Sequence, residues 1–273
     1  MIKAIFFDID GTLRDFTEQG IRPSTYKAVE SAHQAGMLCF VATGRHLLEI
    51  QEEQLLGSLS FDGYVLLNGS LCLDSGGFVV YDNPIPVSQI QAMLKLRQEM
   101  GFSLMFMEQN AMYVSHITPE LVRLQAQIGT AIPPVESNME RGLHQPIYQM
   151  IPYTADENLD LLSSRLPLCD ITRWHEGGAF DITPKGGSKS LGIQKIMERY
   201  GLFRDQIAAI GDGYNDIPMI RYSAVGIAMG NGNDEVKAAA DFVTDPIDQD
   251  GLLHGVEYLI NISKNHTIGG NKK

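Results

Sequence analysis

Residues 2–13 read IKAIFFDIDGTL, an apolar run that stops at two aspartates. The run Ile2–Phe7 is rich in β-branched and aromatic residues and has the length of a buried strand. The following Asp8 to Thr12 is typical of a turn. The stretch therefore predicts a buried strand whose carboxyl end presents Asp8 and Asp10.

The same order of apolar run and polar strand end recurs along the chain, with helix patterns between the runs. An alternation of this kind is typical of a parallel sheet with helices on both faces. We therefore predict the α/β class, with a doubly wound, Rossmann-like parallel sheet. The runs and the residues that end them are 37–42 with Thr43-Gly44-Arg45, 64–67 with Asn68-Gly69, 206–210 with Gly211-Asp212-Gly213, and 224–229 with Gly230-Asn231-Gly232.

The pattern changes between residues 84 and 184, where short strand patterns mix with helix patterns and the parallel alternation is lost. The helix pattern that begins at Ser188 resumes the first order of elements. We predict a core domain formed by residues 1–83 and 185–273. The inserted α+β cap domain is predicted at residues 84–184, where it can close over the site and select the substrate.

Composition narrows the class of protein. The 273 residues are 44% hydrophobic and 20% charged, which is typical of a folded globular chain and excludes disorder as the main state. The net charge of −12 disfavours a nucleic-acid partner. Because we find neither an apolar run long enough to cross a bilayer nor a signal-peptide pattern, we expect a cytoplasmic protein without a membrane partner.

Three predicted strand ends bring polar side chains to one edge of the sheet, where ligands bind in open parallel α/β folds. These ends present Asp8 with Asp10, Thr43 with Arg45, and Asp212 with Asp216. Several carboxylates together suit a hard cation such as Mg²⁺, which takes carboxylates, water and substrate phosphate as ligands. A cation would also supply the positive charge that an anionic substrate needs in an acidic chain.

Four motifs, and their order along the chain, resemble those of the haloacid-dehalogenase-like phosphohydrolases, in particular the Cof-type sugar-phosphate phosphatase branch. The resemblance covers nearly the whole chain, and the insert lies where this branch carries its cap. The motifs are Asp8-Ile9-Asp10-Gly11-Thr12-Leu13, Thr43-Gly44-Arg45, Pro184-Lys185-Gly186-Gly187-Ser188-Lys189 and Gly211-Asp212-Gly213-Tyr214-Asn215-Asp216.

The resemblance implies a phosphatase that works in two steps through an aspartyl-phosphate. Asp8 would be the nucleophile and Asp10 the general acid and base, so surroundings that favour neutral Asp10 are expected when substrate is bound. Lys189 would be the third catalytic residue. The implied phosphate- or substrate-binding residues are Thr43, Gly44, Arg45, Asn68 and Asn215, with Asn215 orienting Asp8 or Lys189. The implied Mg²⁺ ligands are the Asp8 carboxylate, Asp212 and the backbone carbonyl of Asp10, with Asp216 as a direct or water-mediated ligand.

Several alternatives stay open at the level of sequence. A phosphomutase or other phosphotransferase could use the same intermediate, and a non-catalytic sensor could bind a phosphorylated metabolite without turnover. The substrate is expected to be a small phosphorylated metabolite such as a sugar phosphate or a phosphorylated cofactor, and the protein a monomer or homodimer. Arg14-Asp15 and Asp181 depart from the usual pattern of the branch, which affects expectations of specificity more than of chemistry.

Overall fold

A computed structural model of the protein describes residues 1–15, 20–174 and 177–269. In these ranges, no helix combines the length and the apolar character that crossing a membrane requires. The contacts divide the chain into two compact units. The first contains residues 1–45, 50–81 and 188–273, and the second contains residues 46–49 and 82–187.

The strands are named in chain order. They are β1 (Ala4–Phe7), β2 (Leu38–Ala42), β3 (Gly63–Leu66), β4 (Leu71–Asp74), β5 (Val79–Asp82), β6 (Ser103–Met107), β7 (Met112–Val114), β8 (Gln149–Tyr153), β9 (Cys169–Arg173), β10 (Phe180–Pro184), β11 (Ile207–Gly211), β12 (Val225–Ala228) and β13 (Phe242–Val243).

The α-helices follow the same convention. They are α1 (Pro23–Gln34), α2 (Leu47–Glu52), α3 (Val87–Met100), α4 (Pro119–Ile128), α5 (Leu159–Arg165), α6 (Lys189–Tyr200), α7 (Ile217–Tyr222), α8 (Asp234–Ala239) and α9 (Gly251–Gly269).

The first unit is built on an eight-stranded sheet with the order β13-β12-β11-β1-β2-β3-β4-β5. The strands from β13 to β3 pair in parallel, and β4 returns antiparallel to β3. The chain starts at β1, extends the sheet on one side through β2 and β3, and later extends it on the other side through β11 and β12. Because the strand order reverses around β1, the carboxyl end of β1 lies where ligands bind in such sheets.

Two glycines allow helix α6 to pack closely against the strands of this sheet. A Cβ atom added at Gly192 would lie 2.5 Å from Val65 Cγ1 and 3.0 Å from Cys72 Sγ. A Cβ atom added at Gly69 would lie 2.1 Å from the carbonyl oxygen of Ser188, the residue that caps the helix. Only glycine permits these approaches, so the first residue of α6, Lys189, is brought down to the sheet edge.

The second unit contains a five-stranded sheet with the order β7-β6-β8-β10-β9, in which the neighbouring strands pair antiparallel. One face of this sheet packs on α3 and α5. Alternate residues of the strands, such as Phe106, Met150 and Phe180, enter one apolar core with Met93 and Leu162. This unit therefore has a core of its own and the α+β character expected for the insert.

The predicted fold class is confirmed, because the first unit is a parallel α/β sheet and the second is an inserted α+β unit. The predicted domain boundaries separate parts of the chain that are expected to fold independently. A division of the chain by its contacts does not test independent folding. The core domain at residues 1–83 and 185–273 and the cap domain at residues 84–184 therefore stay predictions.

The contact at Gly192 makes a prediction about stability. Helix propensity alone would make Gly192→Ala stabilising by about 1 kcal/mol. Because the new methyl group meets Val65 and Cys72, we expect overpacking to outweigh this gain and to lower the free energy of unfolding by about 1–2 kcal/mol. Urea unfolding measures the change.

The exposed Glu198→Ala substitution on the same helix is the control, and it is expected to change the free energy of unfolding by less than about 0.5 kcal/mol. A Gly192→Ala protein more stable than the wild type would contradict the close packing of α6 on the sheet.

Candidate active site

Three of the predicted site residues follow neighbouring parallel strands. Asp8 follows β1, Thr43 follows β2 and Asp212 follows β11. Strand β1 lies between β2 and β11 and is parallel to both. The three residues therefore meet at one edge of the sheet, as the sequence predicts.

Lys189 joins this group from the first turn of α6. Its Nζ donates hydrogen bonds of 2.6 Å to Asp8 Oδ1 and to Asp216 Oδ1. The Lys189 and Asp216 side chains are fully buried, and that of Asp8 is 9% exposed. An ammonium group is unfavourable both at a helix N-terminus and in a buried position, so the two carboxylates are what stabilises it here.

Asp216 has both carboxylate oxygens engaged by the protein. Oδ1 accepts from Lys189, and Oδ2 accepts from the backbone N–H groups of Asp212 and Gly213 at 2.9 and 2.8 Å. A Cβ atom at Gly211 would lie 2.5 Å from the Asp216 carboxyl carbon, so glycine is required at the end of β11. Because Oδ1 accepts only the hydrogen bond from Lys189 among the described residues, it keeps a lone pair through which Asp216 can also bind a metal.

Asp212 completes a group of carboxylates that can hold a metal ion. One carboxylate oxygen each from Asp8, Asp212 and Asp216 lies within 4.8 Å of the others. Thr12 Oγ1 donates to Asp212 Oδ1 at 3.3 Å, which leaves lone pairs of both Asp212 oxygens available. With Lys189 as the cation between Asp8 and Asp216, three carboxylates and one ammonium leave two net negative charges. A divalent cation with oxygen ligands therefore fits this group in charge and in chemistry.

Burial and neighbouring charges shift the pKa values of Asp8, Asp212 and Lys189. Burial, together with Asp216, raises the pKa of Asp8 well above its ordinary value, although Lys189 opposes this shift. The same two causes raise the pKa of Asp212 to about 7. Burial lowers the pKa of Lys189, but Asp216 and Asp8 outweigh it and the net shift is upward. Lys189 is therefore charged, and Asp8 and Asp212 take up a proton more readily than a free aspartate does.

Asp10 points to two arginines. Arg45 donates from Nε to Asp10 Oδ2 at 2.8 Å and from Nη2 to Oδ1 at 3.1 Å, and Arg14 Nη1 lies 3.5 Å from Oδ1. A bidentate guanidinium pair stabilises the carboxylate form. The expected environment favouring neutral Asp10 concerns the substrate complex and stays a prediction. Arg45 holds Asp10 in the structure, and its binding of phosphate or substrate stays a prediction.

Thr43 and Asn68 lie next to each other just after strands β2 and β3. The Thr43 hydroxyl accepts from the Arg45 N–H at 3.1 Å, and the Thr43 carbonyl accepts from the Asn68 N–H at 3.0 Å. Asn68 has a left-handed backbone with φ of 54°, and its side-chain nitrogen would lie 3.3 Å from a Cβ atom at Gly44. The Asn68 side chain therefore covers Gly44.

Asn215 contacts Asn68, and its implied roles in binding substrate and in orienting Asp8 or Lys189 stay predictions. Asn215 Nδ2 donates to Asn68 Oδ1 at 3.2 Å, and the contacts of the described residues do not connect it to Asp8 or Lys189. Asp216, the next residue, orients Lys189. Spacing alone does not separate two neighbours in a tight turn, because their side chains leave it in different directions.

Three residues near the carboxylates were given no role by the sequence. Thr12 donates to Asp212, Arg14 lies beside Asp10, and Asn231 donates to the carbonyl oxygen of Gly11 at 2.8 Å. Thr12 is part of the first motif, and its hydroxyl was the available signal. The contact of Asn231 spans 220 positions of sequence, and spacing carries no signal for it.

Comparisons with known proteins show the family of this chain. A family model described as haloacid dehalogenase-like hydrolase matches residues 5–256. YkrA of Bacillus subtilis (strain 168) is 34% identical over 258 residues, which are 94% of this chain and 97% of the relative. The pyridoxal phosphate phosphatase YbhA of Escherichia coli (strain K12) is 28% identical and covers 88% of this chain and 92% of its own length.

A solved structure, described as that of the HAD subclass IIB sugar phosphatase BT4131, superposes with a TM-score of 0.80. It is 34% identical, and the match covers 94% of this chain and 98% of that chain.

The raised pKa of Asp212 predicts that metal binding depends on pH. Below about 7 the metal-free Asp212 carries a proton that a cation must displace. We therefore expect Mg²⁺ to bind more tightly as pH rises towards 7, by up to about tenfold per pH unit for one displaced proton. Calorimetry in buffers of different ionisation enthalpy measures both the affinity and the proton release. An Mg²⁺ affinity that is independent of pH between about 6 and 8 would contradict the assignment of Asp212 as a metal ligand that must lose its proton.

The buried contacts of Lys189 predict a large effect of Lys189→Met, which keeps the apolar stem and removes the charge. We expect kcat/KM for phosphate ester hydrolysis to fall roughly a hundredfold or more, because the family resemblance implies that Lys189 is a fixed donor to the reacting phosphate. Lys185→Met is the matched control, since the Lys185 side chain is exposed and donates to the Pro167 carbonyl. Equal losses in the two variants would contradict the role of Lys189.

Proposed function

Because the chain belongs to the haloacid dehalogenase-like hydrolase family, we propose that it hydrolyses small phosphorylated metabolites with Asp8 as the nucleophile. Its phosphatase relatives make the protein a phosphoric monoester hydrolase, and the resemblance to the Cof-type branch is confirmed. The fold implies phosphoryl transfer through an aspartyl intermediate. The roles of individual residues in that transfer are part of the proposal.

The observation that carries the proposal is the contact of Lys189 with Asp8 and Asp216. Lys189 holds Asp8 Oδ1 at 2.6 Å, and Asp8 Oδ2 accepts no hydrogen bond from the described residues. The carboxylate is thereby fixed in orientation with one oxygen free to react. A carboxylate so placed can attack phosphorus and form an acyl phosphate while the ester oxygen leaves.

Asp10 handles the proton in both steps. As the P–O bond to the leaving group breaks, Asp10 gives its proton to the departing oxygen. Water then attacks the phosphorus of the aspartyl-phosphate, Asp10 accepts a proton from that water, and phosphate and free Asp8 result. The pair with Arg45 suits the second step, in which Asp10 acts as a carboxylate, and it has to loosen for the first.

The transferring phosphoryl group spreads negative charge over its oxygens, and fixed donors stabilise it. Lys189 has three N–H donors and uses two of them on Asp8 and Asp216, which leaves one for phosphate. The Thr43 hydroxyl and the Gly44 backbone N–H are proposed as further donors. Asn68 and Asn215, paired at 3.2 Å, are proposed to contact the rest of the substrate.

Mg²⁺ is the proposed cofactor, held by Asp8, Asp212 and the backbone carbonyl of Asp10. The support is the buried carboxylate group and its two uncompensated charges. When bound, the cation would neutralise these charges and polarise the phosphoryl oxygens. Asp216, whose oxygens also hold Lys189 and the loop of Asp212, is proposed as a further ligand, directly or through a water on the metal.

The substrate is proposed to be a sugar phosphate or a phosphorylated cofactor. Supporting relatives are a protein named as a pyridoxal phosphate phosphatase and a structure described as a sugar phosphatase. The net charge of −12 disfavours a nucleic-acid partner. We further propose a cytoplasmic protein without a membrane partner that is a monomer or homodimer.

The test is phosphate release from a panel of phosphorylated metabolites, with and without Mg²⁺, beside Asp8→Asn and an Asp62→Asn control. We expect release that needs Mg²⁺ and falls at least a thousandfold in Asp8→Asn, because the amide is not a nucleophile, roughly as loss of other covalent nucleophiles does. Asp62 contacts the Cys39 N–H and lies outside the site, so its variant is expected to remain active. Release that survives in Asp8→Asn would contradict the mechanism, and isomerised sugar phosphate as product would establish a phosphomutase.

A further inference from the structure

The loop between β12 and α8 reaches the carboxylate group from one side. Its Asn231 side chain donates from Nδ2 to the carbonyl oxygen of Gly11 at 2.8 Å, and the same nitrogen lies 3.5 Å from Asp212 Oδ2. Gly11 belongs to the turn that follows Asp8 and Asp10. One amide group therefore connects the loop of the nucleophile with a carboxylate from another strand.

The Asn231 amide also contacts the segment around Pro246 and Ile247. Its Oδ1 accepts from the Ile247 N–H at 2.9 Å, so both ends of the amide are engaged and its orientation is fixed. The preceding Gly230 donates to the Asp245 carbonyl at 3.1 Å, and a Cβ atom there would lie 2.5 Å from the nitrogen of Pro246. The segment around Pro246 thus supports the loop closely.

Two glycines allow the loops to touch. A Cβ atom at Gly232 would lie 3.0 Å from the Asp212 carbonyl oxygen, and one at Gly11 would lie 2.1 Å from Asp212 Oδ2. Gly11 also has a φ of 81°, which side chains rarely adopt. Because the loops approach so closely, the Asn231 side chain can contact both Gly11 and Asp212. The other carboxylate oxygen of Asp212 accepts from the Thr12 hydroxyl at 3.3 Å.

We infer that Asn231 is a positioning residue for the divalent cation. It fixes the Asp212 carboxylate relative to the loop that carries Asp8 and the Asp10 carbonyl, and so sets the spacing of the three groups proposed as ligands. The inference rests on the proposed function only in taking these groups as the metal site. Hydrogen bonds that orient metal ligands are worth roughly 10–100-fold in affinity when removed.

The test measures Mg²⁺ binding directly by calorimetry on the metal-free protein. Asn231→Ala is expected to raise the Kd for Mg²⁺ roughly 10–100-fold. At saturating Mg²⁺, kcat is expected to recover to within a few-fold of the wild type, since the residue touches neither substrate nor reacting atoms.

Asn233→Ala is the matched control from the same loop. Asn233 caps α8 by accepting from the Val236 N–H at 3.0 Å, so its loss affects the helix and leaves the junction with Asp212 intact. Its Kd for Mg²⁺ is expected to equal that of the wild type. Thermal unfolding of all variants without metal shows that each is folded, and Asn231→Ser, with a side chain too short for both loops, replaces Asn231→Ala if that variant does not fold.

An unchanged Kd in Asn231→Ala, or equal weakening in Asn231→Ala and Asn233→Ala, would overturn the inference. A wild-type protein that binds Mg²⁺ and releases no phosphate from any metabolite would contradict the proposed function and leave this inference standing. A wild-type protein that binds no Mg²⁺ would overturn both.

Discussion

The contact of one buried ammonium with two carboxylates is the constraint on which the site depends. Lys189 is fully buried between Asp8 and Asp216, where neither a lone cation nor two adjacent carboxylates would be stable. The three groups stabilise one another and fix the orientation of Asp8. Because Asp216 also accepts from the N–H groups of Asp212 and Gly213, the same contact fixes the loop that carries the third carboxylate.

Close backbone approaches make this contact possible. Gly69 and Gly192 allow α6 to press on the sheet and to bring Lys189 to its edge, and Gly211 leaves room for Asp216. When its three carboxylates are ionised, the resulting group still carries two excess negative charges. Burial, together with the like charge of Asp216, raises the pKa of Asp8 and of Asp212. Lys189 thus neutralises only part of the negative charge of the carboxylates. A divalent cation would neutralise the two charges that are left.

The sequence predicts those parts of the site that depend on topology. Asp8, Thr43 and Asp212 follow parallel strands, and the carboxyl ends of such strands share an edge whatever the side chains do. The parallel core and the inserted α+β unit follow in the same way from apolar patterning. The two-residue strand β13 gives no pattern long enough to detect.

Side-chain partners are the part that the sequence does not determine. Arg45 contacts Asp10, and Asn215 contacts Asn68, because each choice depends on rotamers and on neighbours from distant segments. Asn231 and Gly11 are joined across 220 positions, a relation that neither periodicity nor motif spacing contains. Function could be inferred from the motifs, whereas the roles of these supporting residues needed the structure.

The claim that the protein transfers the phosphoryl group through Asp8 is tested most directly by trapping the intermediate. A single turnover is quenched with acid within milliseconds, and the digested protein is examined by mass spectrometry. Transfer through Asp8 predicts one phosphoryl group on the peptide that contains this residue, removed by hydroxylamine and absent from Asp8→Asn. Turnover in which the phosphoryl group is found on another residue, or on none at any time, would contradict it.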